Sequence, residues 1–171
     1  IFEKYGIDLQ TTEFVAGINT IDAVVNGTAD IGMMADYAAV NRLGNTLDAT
    51  NLQIFSQISG GQSALSGGLY VDPKYADDPK SLDGSAGFMY QEGTVTYYYA
   101  SKCIEYLDLD ESKQNLINTD SSQTRLVLIQ KGGASAVYAN GSEAKYIEEA
   151  GWVQVATSQE IGIQTGSYFL S

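Results

Sequence analysis

The chain has 171 residues, of which 44% are hydrophobic, and this is enough to bury one good core or two small ones. Its formal net charge of −12 argues against nucleic acid or an anionic membrane surface as the main partner, because both are negatively charged. There is no histidine and no acidic spacing of the EF-hand type, so we expect no cofactor, no metal ion and no enzyme activity.

The N-terminal part predicts a first α/β unit. Residues 1–6 have helical character that ends at Gly6, and residues 7–14 alternate as a strand. Residues 17–32 then read as a glycine loop, a short helix, a glycine turn and a buried strand. We expect Asn19 to cap this helix and Gly27 to end it. A short helix that leads directly into a strand is typical of a parallel sheet, with ligands at the strand ends.

The next segment continues the alternation up to a stretch of small residues. A helix is predicted from Asp36 to about Leu43, followed by a strand over residues 52–58. Residues 59–68 are rich in glycine and serine, which indicates a loop or hinge. A further strand begins at Leu69.

A second α/β series fills the rest of the chain. Its predicted helices run from Thr94 to about Leu107, from a cap at Ser121-Ser122 to Gln130, and over residues 142–150. The predicted strands cover residues 86–90, 115–118, 134–138, 152–155 and 166–171. This order predicts two parallel or mixed α/β layers.

Three residues within the predicted helices allow further expectations. Cys103 lies on an apolar helical stripe and is expected to be a buried, inert thiol. Arg42 and Arg125 are the only arginines, and either could bind an anion through both guanidinium nitrogens. Because both fall inside predicted helices, we expect them to be exposed to solvent.

Four motifs in this order resemble those of a known family. They are residues 2–8 (FEKYGID), residues 17–32, Ser81-Leu82-Asp83-Gly84 ahead of a strand and Gly93-Thr94, and residues 132–138. The ordered set resembles extracytoplasmic solute-binding proteins of ABC importers. It is nearest to the group that binds nitrate, sulfonates, taurine and thiamine precursors.

The resemblance implies a two-lobed α/β fold, the type II fold of periplasmic binding proteins. Residues 1–68 and 166–171 would form an incomplete lobe one, without its first strand and its C-terminal return, and residues 69–165 a complete lobe two. The resemblance further implies a monomer outside the cytoplasm, in the periplasm or lipid-anchored at the outer face of the cell membrane. Its partners would be a small-molecule ligand and an ABC permease.

In such a fold the ligand lies between the lobes and contacts loops at the strand ends. In lobe two the free N–H groups and hydroxyls at a helix start suit a carboxylate, a sulfonate or a polar heterocycle. Capping of the helix by Thr94 is the alternative, and the two can coexist. Tyr138 could form an aromatic wall or pack in the core. The ligand-binding residues expected here are Gln91, Gly93, Thr94, Thr96, Tyr138 and Asn140.

In lobe one the expected ligand contacts follow two strands. Asp36 could accept from an amine or an aminopyrimidine, or could cap its helix, and Tyr37 could stack on a ring or pack in the core. Ser59 and Gln62 could supply polar contacts, or could belong to a plain loop.

The leading hypothesis is a receptor that captures a sulfonate, a taurine-like solute or an aminopyrimidine for an ABC importer. The alternatives are an enzyme related to the pyrimidine synthase of thiamine biosynthesis, and a ligand-sensing domain of a signalling protein. That synthase draws on a histidine, which this chain lacks.

Overall fold

Two sheets with flanking helices make up the computed structural model, which describes residues 2–44, 51–60 and 67–171. The smaller sheet has three antiparallel strands with the C-terminal strand in the centre, in the order β1-β8-β2. We call this sheet and its two helices lobe one. Its elements are α1 (Gly17–Val25), β1 (Gly32–Ala35), α2 (Asp36–Gly44), β2 (Ile54–Gly60) and β8 (Gly166–Leu170).

Lobe two is built on a mixed five-stranded sheet in the order β5-β4-β6-β3-β7. Strand β4 is parallel to β5 and to β6, whereas β3 is antiparallel to β6 and to β7. Its elements are β3 (Gly67–Val71), β4 (Phe88–Tyr90), α3 (Val95–Tyr106), β5 (Leu116–Asn118), α4 (Ser122–Gln130), β6 (Ala136–Asn140), α5 (Gly141–Glu149), β7 (Val153–Thr157) and α6 (Ser158–Ile161).

The two lobes differ in how completely their sheets are covered. Lobe two buries apolar side chains on both faces, so that Leu69, Tyr70 and Val71 are all buried in succession along β3. In lobe one the helices cover a single face, where Ile21 and Met34 pack, and β2 is exposed along most of its length.

Most of the predicted helices and strands are present, with ends shifted by a few residues. The helix that Ser121 caps ends at Gln130 as expected, and the last strand covers residues 166–170. Cys103 is fully buried, and burial raises the pKa of its thiol, as an inert thiol requires.

Three expectations for the first unit are wrong. Residues 7–14 form no strand, because they lie exposed without a neighbouring strand to bond. Asn19 does not cap α1, which begins earlier, at Gly17, with Ala16 in the cap position. Strand β1 pairs with β8 in the antiparallel sense, so this unit does not belong to a parallel sheet.

Candidate ligand-binding cleft

The chain crosses between the lobes twice. In each sheet, the strand ends next to these crossings lie at the edge that is directed towards the other lobe. The last residue of β2, Gly60, pairs with Gly166 at the start of β8, and β3 begins at Gly67. The carboxyl ends of β1 and β2 therefore point towards lobe two. Those of β4, β5 and β6 point back towards lobe one, because β4 and β5 run parallel to β6, which ends beside Gly67. The two edges are therefore directed towards each other, and we call the region between them the candidate cleft.

The loop after β4 is held in shape by its own hydroxyl groups. Thr94 caps α3 by accepting from the N–H of Thr96, and its hydroxyl donates to the carbonyl oxygen of Gln91 at 2.8 Å. The Thr96 hydroxyl accepts from the N–H of Gln91 at 2.7 Å and lies 2.7 Å from the Thr94 hydroxyl. Both threonines are thus engaged within the loop, so capping accounts for their hydroxyls.

The same loop leaves backbone donors for a ligand. Gly93 has a φ of +73°, a conformation that glycine adopts without strain. Within the described part of the chain, the N–H groups of Gly93 and Val95 bond to no protein acceptor. These two donors stand at the N-terminus of α3, where the helix dipole favours an anionic or strongly polar group.

The loop after β4 is also held by hydrogen bonds to residues at the end of β5. The N–H of Glu92 donates to the Asn118 side chain at the end of β5, and the hydroxyl of Thr119 donates to the carbonyl oxygen of Tyr90 at 2.7 Å. Asn118 and Thr119 were not expected from the sequence. An asparagine at the end of a short strand and a threonine directly after it were the available signal.

In lobe one, the Asp36 side chain binds the backbone where the chain returns from lobe two. One carboxylate oxygen accepts from the N–H of Tyr37, and the other accepts from the N–H of Gly166, each at 2.7 Å. The carboxylate therefore caps α2 and fixes the start of β8 at the same time. The Asp36 carboxylate adds to the effect of burial in raising the pKa of Tyr99 in lobe two.

Side chains of the two lobes meet at the cleft. The rings of Tyr37 and Tyr98 stack with centroids 6.5 Å apart. A methyl group added to Gly93 would come within 3.8 Å of Ile18 at the start of α1. Burial raises the pKa of Tyr37, and the neighbouring Tyr97 adds to the effect. Tyr98 was missed as a specific residue, because three consecutive tyrosines conceal which ring faces the other lobe.

Tyr138 packs in the core of lobe two and does not form an open aromatic wall. It is 5% exposed, and its ring lies 4.2 Å from that of Tyr99. Its hydroxyl bonds to Ser158 at 2.8 Å, and the Ser158 hydroxyl donates to the carbonyl oxygen of Gly67. Burial raises the pKa of Tyr99 to about 12 and also raises that of Tyr138. This network anchors β3 where it enters lobe two.

The expectation that the arginines are exposed is wrong for Arg125, which is 5% exposed. Its guanidinium pairs with Glu143 at 2.6 Å and donates to the hydroxyls of Thr119 and Ser122. Through these three bonds it joins the loop after β5 to the start of α5. Arg42 is half-buried and pairs with Asp22 at 2.6 Å, so neither arginine extends into solvent.

The remaining predicted residues occupy separate positions along the cleft edge. Ser59 lies near the end of β2, opposite Ser167, and it belongs to the strand. Asn140 is exposed at the end of β6, and its side chain makes no capping hydrogen bond to α5. The side chain of Gln91 is half-buried. Gln62 lies outside the described residues.

Two features are absent from residues 2–44, 51–60 and 67–171 of the chain. In these ranges no three cysteine, aspartate or glutamate side chains are grouped so that they could hold a metal ion. No helix in them is long and apolar enough to cross a bilayer. A separate open groove of about 450 Å³ runs along α1, lined by residues that include Phe14, Asn19 and Asn26.

Two α/β lobes joined by crossing strands, with strand ends facing across a cleft, define the type II fold of periplasmic binding proteins, which this chain has in part. One similar structure is the periplasmic aliphatic sulphonate-binding protein SsuA from Escherichia coli, with a TM-score of 0.74 and 15% identity. Another is the alkanesulfonate-binding protein SsuA from Xanthomonas axonopodis pv. citri, solved bound to MOPS, with a TM-score of 0.70 and 17% identity. Each alignment covers 94% of this chain and 53% of the other.

A more distant relative by structure is lactococcal OpuAC, solved in a closed conformation with glycine betaine. Its TM-score is 0.59 at 14% identity, and the alignment covers 98% of this chain and 67% of that one. The chain thus spans about half the length of the SsuA proteins it matches. No protein-family model and no curated protein sequence matches it. At these identities the likeness establishes the fold.

Proposed function

We propose that this chain belongs to an extracytoplasmic receptor that captures a small polar solute between its lobes and delivers it to an ABC importer. Residues 1–68 together with residues 166–171 would form lobe one, and residues 69–165 would form lobe two. The solute would be a sulfonate, a taurine-like compound or an aminopyrimidine. The receptor would act as a monomer and would need no catalytic residues.

The observation that carries the proposal is the pair of N–H groups at Gly93 and Val95, which bond to no acceptor within the described residues and stand at the N-terminus of α3, where Gly93 lies near Ile18 of lobe one. A polar group placed there receives two hydrogen bonds and a favourable helix dipole. The dipole alone contributes only about 0.3–1 kcal/mol at an exposed site. Contacts from the facing lobe, such as Tyr37, must therefore add to it.

Closure of the lobes on a solute is supported by the way they are joined. Glycines flank both crossings: Gly60 and Gly67 stand on either side of the first, and Gly166 at the second pairs with Gly60 and donates to Asp36. A few residues that change backbone angles are enough for hinge closure. Stacking of Tyr37 on Tyr98 would then change with the angle between the lobes.

The test is titration calorimetry of the full-length protein with ethanesulfonate, taurine, choline and a 4-aminopyrimidine. The site variant is Gly93→Ala, which strains a φ of +73° and places a methyl group between Gly93 and Ile18. Gly84→Ala is the matched control, because φ is +72° there and nothing lies within 4 Å of the added methyl group.

We expect the two variants to lose similar stability, about 1 kcal/mol each. Only Gly93→Ala should weaken binding, by tenfold or more. Equal affinities of the two variants would place the site elsewhere, and no binding by any of the four solutes would argue against a receptor for these classes.

A further inference from the structure

One tyrosine pair connects the two lobes directly. Tyr37 lies on α2 of lobe one and Tyr98 lies on α3 of lobe two, and their rings stack with centroids 6.5 Å apart and planes 29° apart. Both residues are partly buried. Aromatic rings in such contact attract each other beyond the effect of the surface that they bury. The pair therefore favours the relative placement of the lobes that the structure shows.

The same contact continues into the core of lobe two. Tyr98 packs against Tyr99 with ring centroids 6.0 Å apart, and Tyr99 packs against Tyr138 with centroids 4.2 Å apart. Tyr99 and Tyr138 are each 5% exposed. Because closely packed buried rings have little freedom to reorient, Tyr98 rests against a fixed neighbour on the side away from lobe one.

Hydrogen bonds join these buried rings to both crossings between the lobes. The Tyr138 hydroxyl lies 2.8 Å from that of Ser158, which donates to the carbonyl oxygen of Gly67, at the start of β3, at 2.7 Å. The side chain of Tyr99 forms a hydrogen bond with Thr165, the residue before β8 begins. A rotation of one lobe against the other must therefore alter the ring contacts, the bonds at the crossings, or both.

We propose that the Tyr37–Tyr98 pair is a latch that holds the lobes in one relative orientation before a solute binds, and that Tyr99, Tyr138 and Ser158 fix this latch to the crossings. The inference does not depend on which solute binds. A solute would meet lobes that are already positioned, so less of its binding free energy would be lost in ordering them.

The test measures the distance between the lobes in full-length protein without added solute. Nitroxide labels at Val25→Cys in lobe one and Glu149→Cys in lobe two would be read by double electron–electron resonance. Both positions are exposed and end their helices. Cys103 is fully buried and should take no label. The doubly labelled protein should give a single narrow distance distribution.

The latch predicts how this distribution changes in variants of the doubly labelled protein. Tyr98→Leu and Tyr37→Leu should each broaden it at least twofold, and the double variant should broaden it no further, because each change removes the same pair. Tyr106→Leu is the matched control, since this residue lies on the same helix, is 43% exposed and should leave the width unchanged. Ser158→Ala removes the bond to Gly67 and should also broaden the distribution. Circular dichroism checks that each variant is folded, which we expect because both rings of the pair are only partly buried.

Equal widths for Tyr98→Leu, Tyr37→Leu and Tyr106→Leu would overturn the latch and leave the receptor function standing, because calorimetry tests solute binding separately. Additive broadening by the two latch variants would overturn the assignment of the latch to this pair. An unchanged width for Ser158→Ala would overturn the link between the latch and the first crossing. A narrow distribution together with no solute binding would count against the proposed function alone.

Discussion

The carboxylate of Asp36 accepts a hydrogen bond of 2.7 Å from the backbone N–H of Gly166, 130 residues further along the chain. Through this bond the first turn of α2 holds the strand that returns from lobe two. The sequence left open whether Asp36 contacts a ligand or caps its helix. The structure shows a cap that also fixes the crossing, with both carboxylate oxygens bonded to backbone N–H groups.

Replacing Asp36 should loosen this crossing. Asp36→Ala removes an ionised acceptor from two backbone donors, and such bonds contribute about 1.5–3 kcal/mol when charged. Because Asp36 is half-buried, we expect the free energy of unfolding in urea to fall by about 1–2 kcal/mol. Asp30→Ala, at an exposed position without a hydrogen bond within the described ranges, should change it by less than about 0.5 kcal/mol. Equal effects of the two variants would contradict the role of Asp36.

The close packing of β3 against β7 should make Gly68 intolerant of a side chain. A methyl group there would overlap the carbonyl oxygen of Ala156, which belongs to the neighbouring strand and cannot move alone. Gly68→Ala should cost about 3 kcal/mol or more, or prevent folding. Gly44→Ala is the control, because nothing lies within 4 Å of its added methyl group, and thermal unfolding should show little change. A stable Gly68→Ala protein would show that the β3–β7 register is wrong.

The buried ion pair predicts non-additive mutational effects. Arg125→Leu leaves the Glu143 carboxylate, with a side chain only 18% exposed, without its partner. We expect a loss of about 3 kcal/mol in urea unfolding, because an uncompensated buried charge is costly. The double variant Arg125→Leu/Glu143→Leu should recover much of the loss.

The exposed pair of Lys102 and Glu105 provides the comparison for this experiment. Lys102→Ala should cost less than about 1 kcal/mol, because water screens an exposed pair. Simple additivity of Arg125→Leu and Glu143→Leu would mean that the two side chains do not interact.

The capping box of α6 predicts a contribution to acid stability. Hydrogen bonds from Thr157 hold the pKa of Glu160 below its ordinary value of 4.5, so the folded state favours the carboxylate. The resulting stabilisation is present above pH 4.5 and is lost as the pH falls through the lowered folded-state pKa. Glu160→Gln keeps the acceptor oxygen, so its melting temperature should fall less between pH 6 and pH 3 than that of the unchanged protein. Parallel curves would contradict this assignment.

Much of the fold follows from local patterns in the sequence. The helix that Ser121 caps and the strand from Gly166, which ends one residue earlier than predicted, were predictable because cap residues and apolar runs act over a few residues. Residues 7–14 were predicted wrongly, since alternation alone does not provide a neighbouring strand. The helix over residues 158–161 was missed, although Thr157 and Glu160 form the spacing of a capping box.

The candidate site was predictable as a set of strand ends, but the roles of its side chains were not. Thr94 was placed correctly at the start of α3, because a threonine after glycine is a local capping signal. The burial of Arg125 and Tyr138 depends on Glu143 and Ser158, partners 18 and 20 residues away that only the folded chain brings close. Side-chain pairs separated by this many residues cannot be recognised from the local sequence pattern.

The central claim is that a small solute binds between the facing strand ends of two lobes. The most direct measurement is an amide nitrogen–proton NMR titration of the full-length protein with the tightest-binding solute of the calorimetric panel. The account predicts the largest shifts at the N–H groups of Gly93 and Val95, with smaller shifts at Tyr37 and Gly166 as the lobes close. Shifts confined to the groove along α1, around Phe14 and Asn26, would contradict it.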